Sequence, residues 1–315
     1  MASQMKLAAF LLPTGHHAAA WRHPGSAPDA GSNFQRQLEQ ARLAERGLFD
    51  AVFIADFTSS IDEATIDGFR RMTYAASFEP LTLLAALAAT TNRIGLIGTV
   101  STTYSVPYHL ARQFLSLDQI SSGRAGWNLV TTANVKESIH YGHPSHVPHA
   151  DRYQQAREFA QIVQNFWDSW DDDAFQRDIE NGEFFRPEGR RPFDFKGEFL
   201  TAAGQIDIPR SPQGRPVLVQ AGSSEPGRQL AAETAEMVFT AQQTLVEAKA
   251  FRLELHRRMR EIGRDPATLK VMPGGYPLVG RTQMEAEDLR AQREDVTHTD
   301  VGLLLLGGMR GTERK

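Results

Sequence analysis

Short apolar runs alternate with amphipathic segments of helical period seven times along this chain, and no other feature restricts its fold as strongly. The runs at 6–12, 51–57, 93–101, 126–132, 216–221, 237–241 and 271–279 have strand length and few charges. The segments between them, at 33–47, 79–91, 107–123, 151–170, 225–235, 245–263 and 282–293, place apolar residues on one helical face. Examples are Phe34, Leu38, Ala41 and Ala44 in the first, and Phe159, Ile162, Val163, Phe166 and Trp167 in the fourth. Strands separated by such helices pair in parallel through right-handed crossovers. Strands apolar along both edges of the pleat belong to a sheet covered on both faces. An open doubly wound sheet and a closed (β/α)8 barrel both satisfy this pattern. The sequence has no G-x-G-x-x-G and no P-loop. The even spacing and the number of units favour an α/β fold of the (β/α)8 TIM-barrel kind, as one domain over 1–315.

Two stretches break the rhythm. Residues 171–214 are polar and read as an excursion between the fourth helix and the fifth strand, with short strands around 193–200. Asp171, Asp172 and Asp173 open it, and their spacing fits a solvated loop better than a cation-binding loop. The eighth β–α unit is not legible. After Arg293 comes Val301-Gly-Leu-Leu-Leu-Leu-Gly307, which reads as a strand or as the opening of an insertion. The expectation is a barrel without its last unit, which leaves a sheet edge unpaired.

Composition narrows the chemistry. The 315 residues include no cysteine, which excludes disulfides, Cys-bound zinc, iron–sulfur clusters and thiol catalysis. The net charge of −4, with no basic block, argues against nucleic acid as a partner. Neither a signal-peptide pattern nor an apolar run of membrane-spanning length is present, so the expected place is the cytoplasm, with no membrane contact.

In barrels the chemistry sits just beyond the strand ends. The residues there are Thr14, His16, His17, Trp21 and His23 after the first strand, and Asp56, Phe57, Thr58 and Ser59 after the second. Ser101, Thr102, Thr103 and Tyr104 follow the third, Asn128, Thr131 and Thr132 close the fourth, and Gly222, Ser223 and Ser224 follow the fifth. The ring is mostly neutral and rich in hydroxyls, which suits hydrogen bonding to a large cofactor, although each hydroxyl alone reads as a helix cap. In Gln220-Ala-Gly-Ser-Ser-Glu-Pro-Gly-Arg228 a strand turns through glycine into a helix N-terminus. An anion site and an ordinary capped helix start fit this segment equally well. His143, His146 and His149 lie three apart, but Pro144 and Pro148 prevent the helix that would align them on a metal, and no metal site is expected. His149 reads better as a phosphate contact. Trp127, Phe166, Trp167 and Trp170 read as core. For an anionic substrate, Arg22 and Arg112 are the candidate cations.

Several longer motifs carry a resemblance. They are Phe49-Asp-Ala-Val-Phe-Ile-Ala-Asp56, Phe78-Glu-Pro80, Ser101-Thr-Thr-Tyr-Ser-Val-Pro-Tyr-His-Leu-Ala-Arg112, Leu117-Asp-Gln-Ile-Ser-Ser-Gly-Arg-Ala-Gly-Trp-Asn-Leu-Val-Thr-Thr132, His149-Ala-Asp-Arg-Tyr153, and Pro209-Arg-Ser-Pro-Gln-Gly214 with Gln220-Ala-Gly222. Running in order from about residue 5 to 305, they resemble the bacterial-luciferase-like flavin monooxygenases, and within them the nitrilotriacetate monooxygenase component A family. That family includes aminopolycarboxylate, sulfone and long-chain alkane monooxygenases.

The resemblance implies a barrel of the bacterial luciferase type that takes reduced FMN from a separate NAD(P)H:flavin reductase. It implies reaction with O2 through a C4a-(hydro)peroxyflavin to oxygenate a small organic substrate, in a homodimer or homotetramer. Position by position, it puts Asp56 and Thr102 at the isoalloxazine, and Asn128 and Thr132 near the ring and its oxygen-reacting face. It puts His149, Tyr153, Ser223 and Ser224 at the ribityl phosphate, and His16 or His17 over the flavin, so the catalytic candidates are His16, His17 and Thr132. Relatives continue beyond this chain's end, so the insertion that caps their substrate pocket is not expected here. Three other readings stand beside this one. They are a reductase or dehydrogenase of the same superfamily using the deazaflavin F420, a catalytically silent flavin-binding barrel, and a metal-dependent barrel hydrolase using the loop histidines.

Overall fold

Seven of the apolar runs pair side by side in chain order in the computed structural model, which describes residues 4–56, 65–132 and 134–310. The elements are β1 (Ala8–Leu11), α1 (Phe34–Arg46), β2 (Ala51–Ile54), α2 (Ile66–Phe69), α3 (Pro80–Ala88), β3 (Gly95–Ser101), α4 (Pro107–Ser121), β4 (Ala125–Val130), α5 (His149–Trp167), β5 (Phe193–Lys196), β6 (Thr201–Gly204), β7 (Val217–Gln220), α6 (Glu225–Thr234), β8 (Met237–Thr240), α7 (Leu245–Glu261), β9 (Lys270–Pro273), α8 (Gln283–Asp295) and α9 (Thr299–Arg310). The main sheet is wholly parallel, in the order β1-β2-β3-β4-β7-β8-β9.

Alternation along each strand divides its side chains between two cores. Val52, Ile54, Leu96, Trp127 and Leu129 point outward and pack under the helices with Leu84, Phe114, Phe159 and Trp167. Ala51, Phe53, Ile97 and Val219 point inward. The rings of Phe10 on β1 and Phe239 on β8 meet at 5.9 Å although their strands stand five places apart in the sheet, so the sheet is curled into a half-barrel. Trp127, Phe166, Trp167 and Trp170 are all buried, as their spacing predicts. The indoles of Trp127 and Trp167 donate to the carbonyls of Val100 and Ala111, each at 3.0 Å, which satisfies their one polar group inside the core.

The polar excursion contains an antiparallel hairpin, β5–β6. Its turn is fastened to α5 by the carboxylate of Glu158, which accepts the backbone N–H groups of Glu198, Phe199 and Leu200, each at 2.9 Å. The three consecutive aspartates are each paired with an arginine, Asp171 with Arg191, Asp172 with Arg210 and Asp173 with Arg186. These ion pairs fold the loop on itself.

The C-terminal part differs from its sequence-based expectation. The run 271–279 is a strand only over β9, because Gly274-Gly275 and Pro277 cannot continue a ladder. The apolar piece from Val301, expected as a strand or an insertion, is the helix α9. It buries Val301 and packs on α2, with Asp300 at 3.6 Å from Arg71. Among the described residues no eighth parallel strand joins β9, and β1 and β9 stand at the two ends of the order.

Candidate active site

The carboxyl ends of the strands bring most of the expected polar residues to one rim. Ser101, ending β3, and Thr132, two residues beyond β4, share a hydrogen bond of 2.5 Å between their hydroxyls. The Thr103 hydroxyl donates to Thr131 O at 2.9 Å, and Thr102 N–H donates to Val130 O, also at 2.9 Å. Thr132 adopts a left-handed backbone, φ +48°, which is costly for a β-branched residue. Its carbonyl accepts from the guanidinium of Arg152 and from His146 Nε2, the latter at 3.2 Å. A carbonyl can only accept, so His146 donates from Nε2 and offers Nδ1 to the Tyr104 phenol at 2.5 Å. Burial, with the charge of Arg152, lowers the pKa of His146 and favours its neutral ring.

Below this rim Asn128 lies on the inner face of β4. Its amide donates to Thr99 Oγ1 at 2.9 Å, and Thr99 in turn donates to Ile54 O at 2.9 Å. The amide oxygen of Asn128 is buried with no partner. Asp56, just past β2, reaches solvent, yet the protein around it and the carboxylates of Glu79 and Glu137 push its pKa up to about 6. Phe57, Thr58 and Ser59 lie outside the described residues.

The turn from β7 into α6 is closely packed against the start of α5. A Cβ on Gly222 would meet the Cα of Gly227 at 3.1 Å, so only glycine lets the two segments approach this closely. Ser224 caps α6 through Gly227 N–H and donates to the Tyr153 phenol at 3.1 Å. His149 and Tyr153, on the first turn of α5, have ring centroids 5.0 Å apart. Ser223 sits exposed in the same turn. Arg152 and Arg228 each keep a buried Nε without an acceptor. Arg152 gave no signal of its own in the sequence beyond its place between His149 and Tyr153.

The adjacent histidines after β1 separate. His16 donates from Nε2 to Phe10 O at 2.8 Å and lies edge-on to the Phe10 ring, over the inward aromatic cluster. His17 accepts from Ala19 N–H. Burial, then the charge of Arg293, lowers its pKa, with Glu294 opposing. The three loop histidines do not converge on one point. His143 lies against Tyr104, His146 bridges Tyr104 and Thr132, and His149 faces Tyr153. Arg112, expected as a candidate for substrate binding, lies on the helix layer instead. It lines a groove of about 450 Å³ between α3 and α4 and pairs with Asp207 at 2.9 Å.

The sequence profile of the luciferase-like monooxygenases matches residues 12–300. This chain belongs to the luciferase-like monooxygenase family. Over 303 residues it is 45% identical to N-acetyl-S-(2-succino)cysteine monooxygenase of Bacillus subtilis, covering 96% of this chain and 67% of that protein. It is 42% identical to nitrilotriacetate monooxygenase component A of Aminobacter aminovorans, covering 98% and 69%. A crystal structure of riboflavin lyase with modified FMN and substrate riboflavin superposes with a TM-score of 0.87 at 30% identity, covering 95% of this chain and 68% of that one. The chain thus spans about two thirds of the length of these relatives. As a luciferase-like monooxygenase it is an oxidoreductase. No described helix is long and apolar enough to cross a membrane.

Proposed function

We propose that this luciferase-like monooxygenase is the oxygenase component of a two-component system. It receives reduced FMN from a separate NAD(P)H:flavin reductase and uses O2 to oxygenate a small organic substrate. The observation that carries this reading is the pairing of a cradle suited to phosphate at β7–α6 with a buried, unpartnered amide oxygen on β4. An N–H group of a bound isoalloxazine satisfies such an oxygen; water-exposed scaffolding does not need one. The modified FMN in the riboflavin lyase structure supports the same cofactor, and the names of the monooxygenase relatives support the use of O2.

Bound reduced FMN supplies the two electrons with which one oxygen atom of O2 enters the substrate and the other leaves as water. The chain's own residues divide the remaining work. His149, Tyr153, Ser223 and Ser224 hold the phosphate, with Arg152 and Arg228 adding positive charge. Asp56, Thr102 and Asn128 orient the ring. Thr132 presents its hydroxyl to the reacting face, and Ser101 fixes the direction of that hydroxyl. His16 stands on the substrate side above the inward aromatics, and His17 supports its loop. The Phe10, Phe53 and Phe239 rings keep the floor dry. The proposed unit is a single barrel domain over 1–315 with an excursion at 171–214, acting in the cytoplasm as a homodimer or homotetramer.

Anaerobic fluorescence titration with FMN tests this reading. We expect the reduced form to bind more tightly than the oxidised one, with a micromolar Kd or better. Absence of binding by either form would overturn it. The near-isosteric Asn128→Leu variant is expected to weaken binding about tenfold, close to one hydrogen bond to a buried acceptor, and to melt somewhat lower without flavin because it also removes the donor to Thr99 Oγ1, with circular dichroism showing the fold retained.

A further inference from the structure

Polar side chains of α5, α6 and α7 form one continuous set of hydrogen bonds that ends on the first residue of α6. Arg258, on α7, is buried and presents its fork to the Glu225 carboxylate, with Nη1 at 2.9 Å from Oε1 and Nη2 at 2.6 Å from Oε2. Its Nε donates to Glu254 at 2.8 Å, and its Nη1 also donates to the Gln229 side chain at 3.0 Å. Gln229 donates to Glu233, which accepts from Arg157 on α5, and Arg157 donates in turn to Gln154, the residue after Tyr153. Arg228 lies one turn along α6 from Glu225. It reaches the same carboxylate only at 3.6 Å, and its buried Nε has no acceptor.

Glu225 directly follows Ser224, the residue that caps α6. A carboxylate in the first turn of a helix is drawn to the free N–H groups there and to the positive end of the dipole. Unrestrained, it would take up the positive charge that a phosphate needs at this turn and would repel the phosphate itself. The hydrogen bonds from Arg258 hold Glu225 below the ordinary carboxylate range, so it stays charged and its charge has to be balanced. Arg258 balances it from a neighbouring helix, with a bidentate grip that fixes where the carboxylate points. Arg228 is then not needed as the counter-ion. Stability gives little reason for the arrangement, because the Glu225 side chain is 64% exposed and a guanidinium taken out of water for such a partner gains little net.

We infer that Arg258 is a positioning residue of the phosphate site: by holding the Glu225 carboxylate it leaves Arg228 and the start of α6 free for the phosphate, and so sets the preference for a phosphorylated over an unphosphorylated flavin. This deepens the proposed function and rests on it for the identity of the ligand. Arg258 stands 33 residues from Glu225, in an ordinary helical charge pattern, and gave no sign of this role in the sequence.

The test is anaerobic fluorescence titration of the whole chain with the reduced forms of FMN and riboflavin, which differ only by the phosphate. The parent is expected to bind FMN more tightly than riboflavin. Arg258→Met is expected to weaken FMN about five- to tenfold and riboflavin by less than about twofold, the effect of one uncompensated charge near a half-exposed anion, and the FMN loss is expected to narrow at high salt. Adding Glu225→Gln to Arg258→Met is expected to return most of the lost FMN affinity, since the charge that Arg258 balanced is then gone. An arginine that only holds α7 against α6 predicts the opposite, a second substitution that leaves or deepens the loss. Arg257→Met removes the exposed neighbour on Glu254 and is expected to leave both flavins unaffected. Circular dichroism checks the fold of each variant, and Arg258→Gln, with the same expected outcome, decides the matter should Arg258→Met not fold. A parent without preference for FMN, an Arg258→Met variant that keeps the parent's preference, or a double variant no better than Arg258→Met would overturn the inference, and the flavin reading would survive in each case. A chain that binds neither flavin overturns the flavin reading. Phosphorus NMR with inorganic phosphate then separates the two: binding that depends on Arg258 supports the charge balance, and absence of binding removes it as well.

Discussion

Thr132 shows how much of the site rests on single residues. Its left-handed backbone costs on the order of 1–2 kcal/mol for a residue with a Cβ. Arg152, His146 and Ser101 all fasten it, two through its carbonyl and one through its hydroxyl. The motif ending at Thr132 was legible in the sequence. The strain was not, because it depends on Arg152 and His146, 20 and 14 residues away. Asp56 is the residue whose protonation is most exposed to test. Its folded pKa of about 6 lies above the ordinary 3.8, so the folded chain binds this proton more tightly than the unfolded one. Between about pH 4 and 6 this carboxyl therefore removes stability as pH rises, and above 6 its penalty is complete. Asp56→Asn should melt at a higher temperature than the parent near pH 7.5, with the difference vanishing near pH 4. A pH series of flavin-free melting curves reads this directly, and a gain that persisted at pH 4 would contradict it.

At the scale of elements, strand and helix identities were readable because burial on both faces and burial on one face leave different periods in the sequence. The long excursion was readable as a polar stretch with short strands around 193–200, which the hairpin β5–β6 matches. What holds its hairpin is Glu158, a buried carboxylate on α5, and nothing in the periodicity says that it caps a turn forty residues later. The neighbouring Gly197 is required there, since a Cβ would lie 2.3 Å from the Glu158 carboxylate. Glu158→Gln replaces one accepting oxygen by a donor facing backbone N–H groups. We expect a loss of about 2 kcal/mol in urea unfolding and faster proteolytic cutting between 193 and 204. An unchanged cutting rate would show that the hairpin is held elsewhere. The same distinction explains α9. Its apolar run permits strand or helix, and helix results because α2 offers it a surface to pack on.

At the scale of the whole molecule the curl of the sheet matters most, since it brings the β1 and β8 aromatics together and turns seven separate strand ends into one rim. A ligand that bridges this rim and the β7–α6 cradle ties separate units of the barrel together. Reduced FMN at a hundred times its Kd should therefore stabilise the fold by about 2.7 kcal/mol, a rise in melting temperature of roughly 5 °C or more. Oxidised FMN at the same concentration should give less, and differential scanning calorimetry under argon compares the two. The sequence by itself determined the parallel alternating architecture, the strand-end ring of hydroxyls, the glycine turn before α6 and the family, because these depend on local period, turn chemistry and motifs contiguous in the chain. Only the tertiary structure decided that His16 rather than His17 lies over the floor, that Arg112 faces the outer helix layer, and that Asn128 keeps an unpartnered oxygen. Those outcomes depend on which distant side chains are within hydrogen-bonding reach and on how much water is excluded. Both are set by packing between units, and neither leaves a periodic trace along the chain.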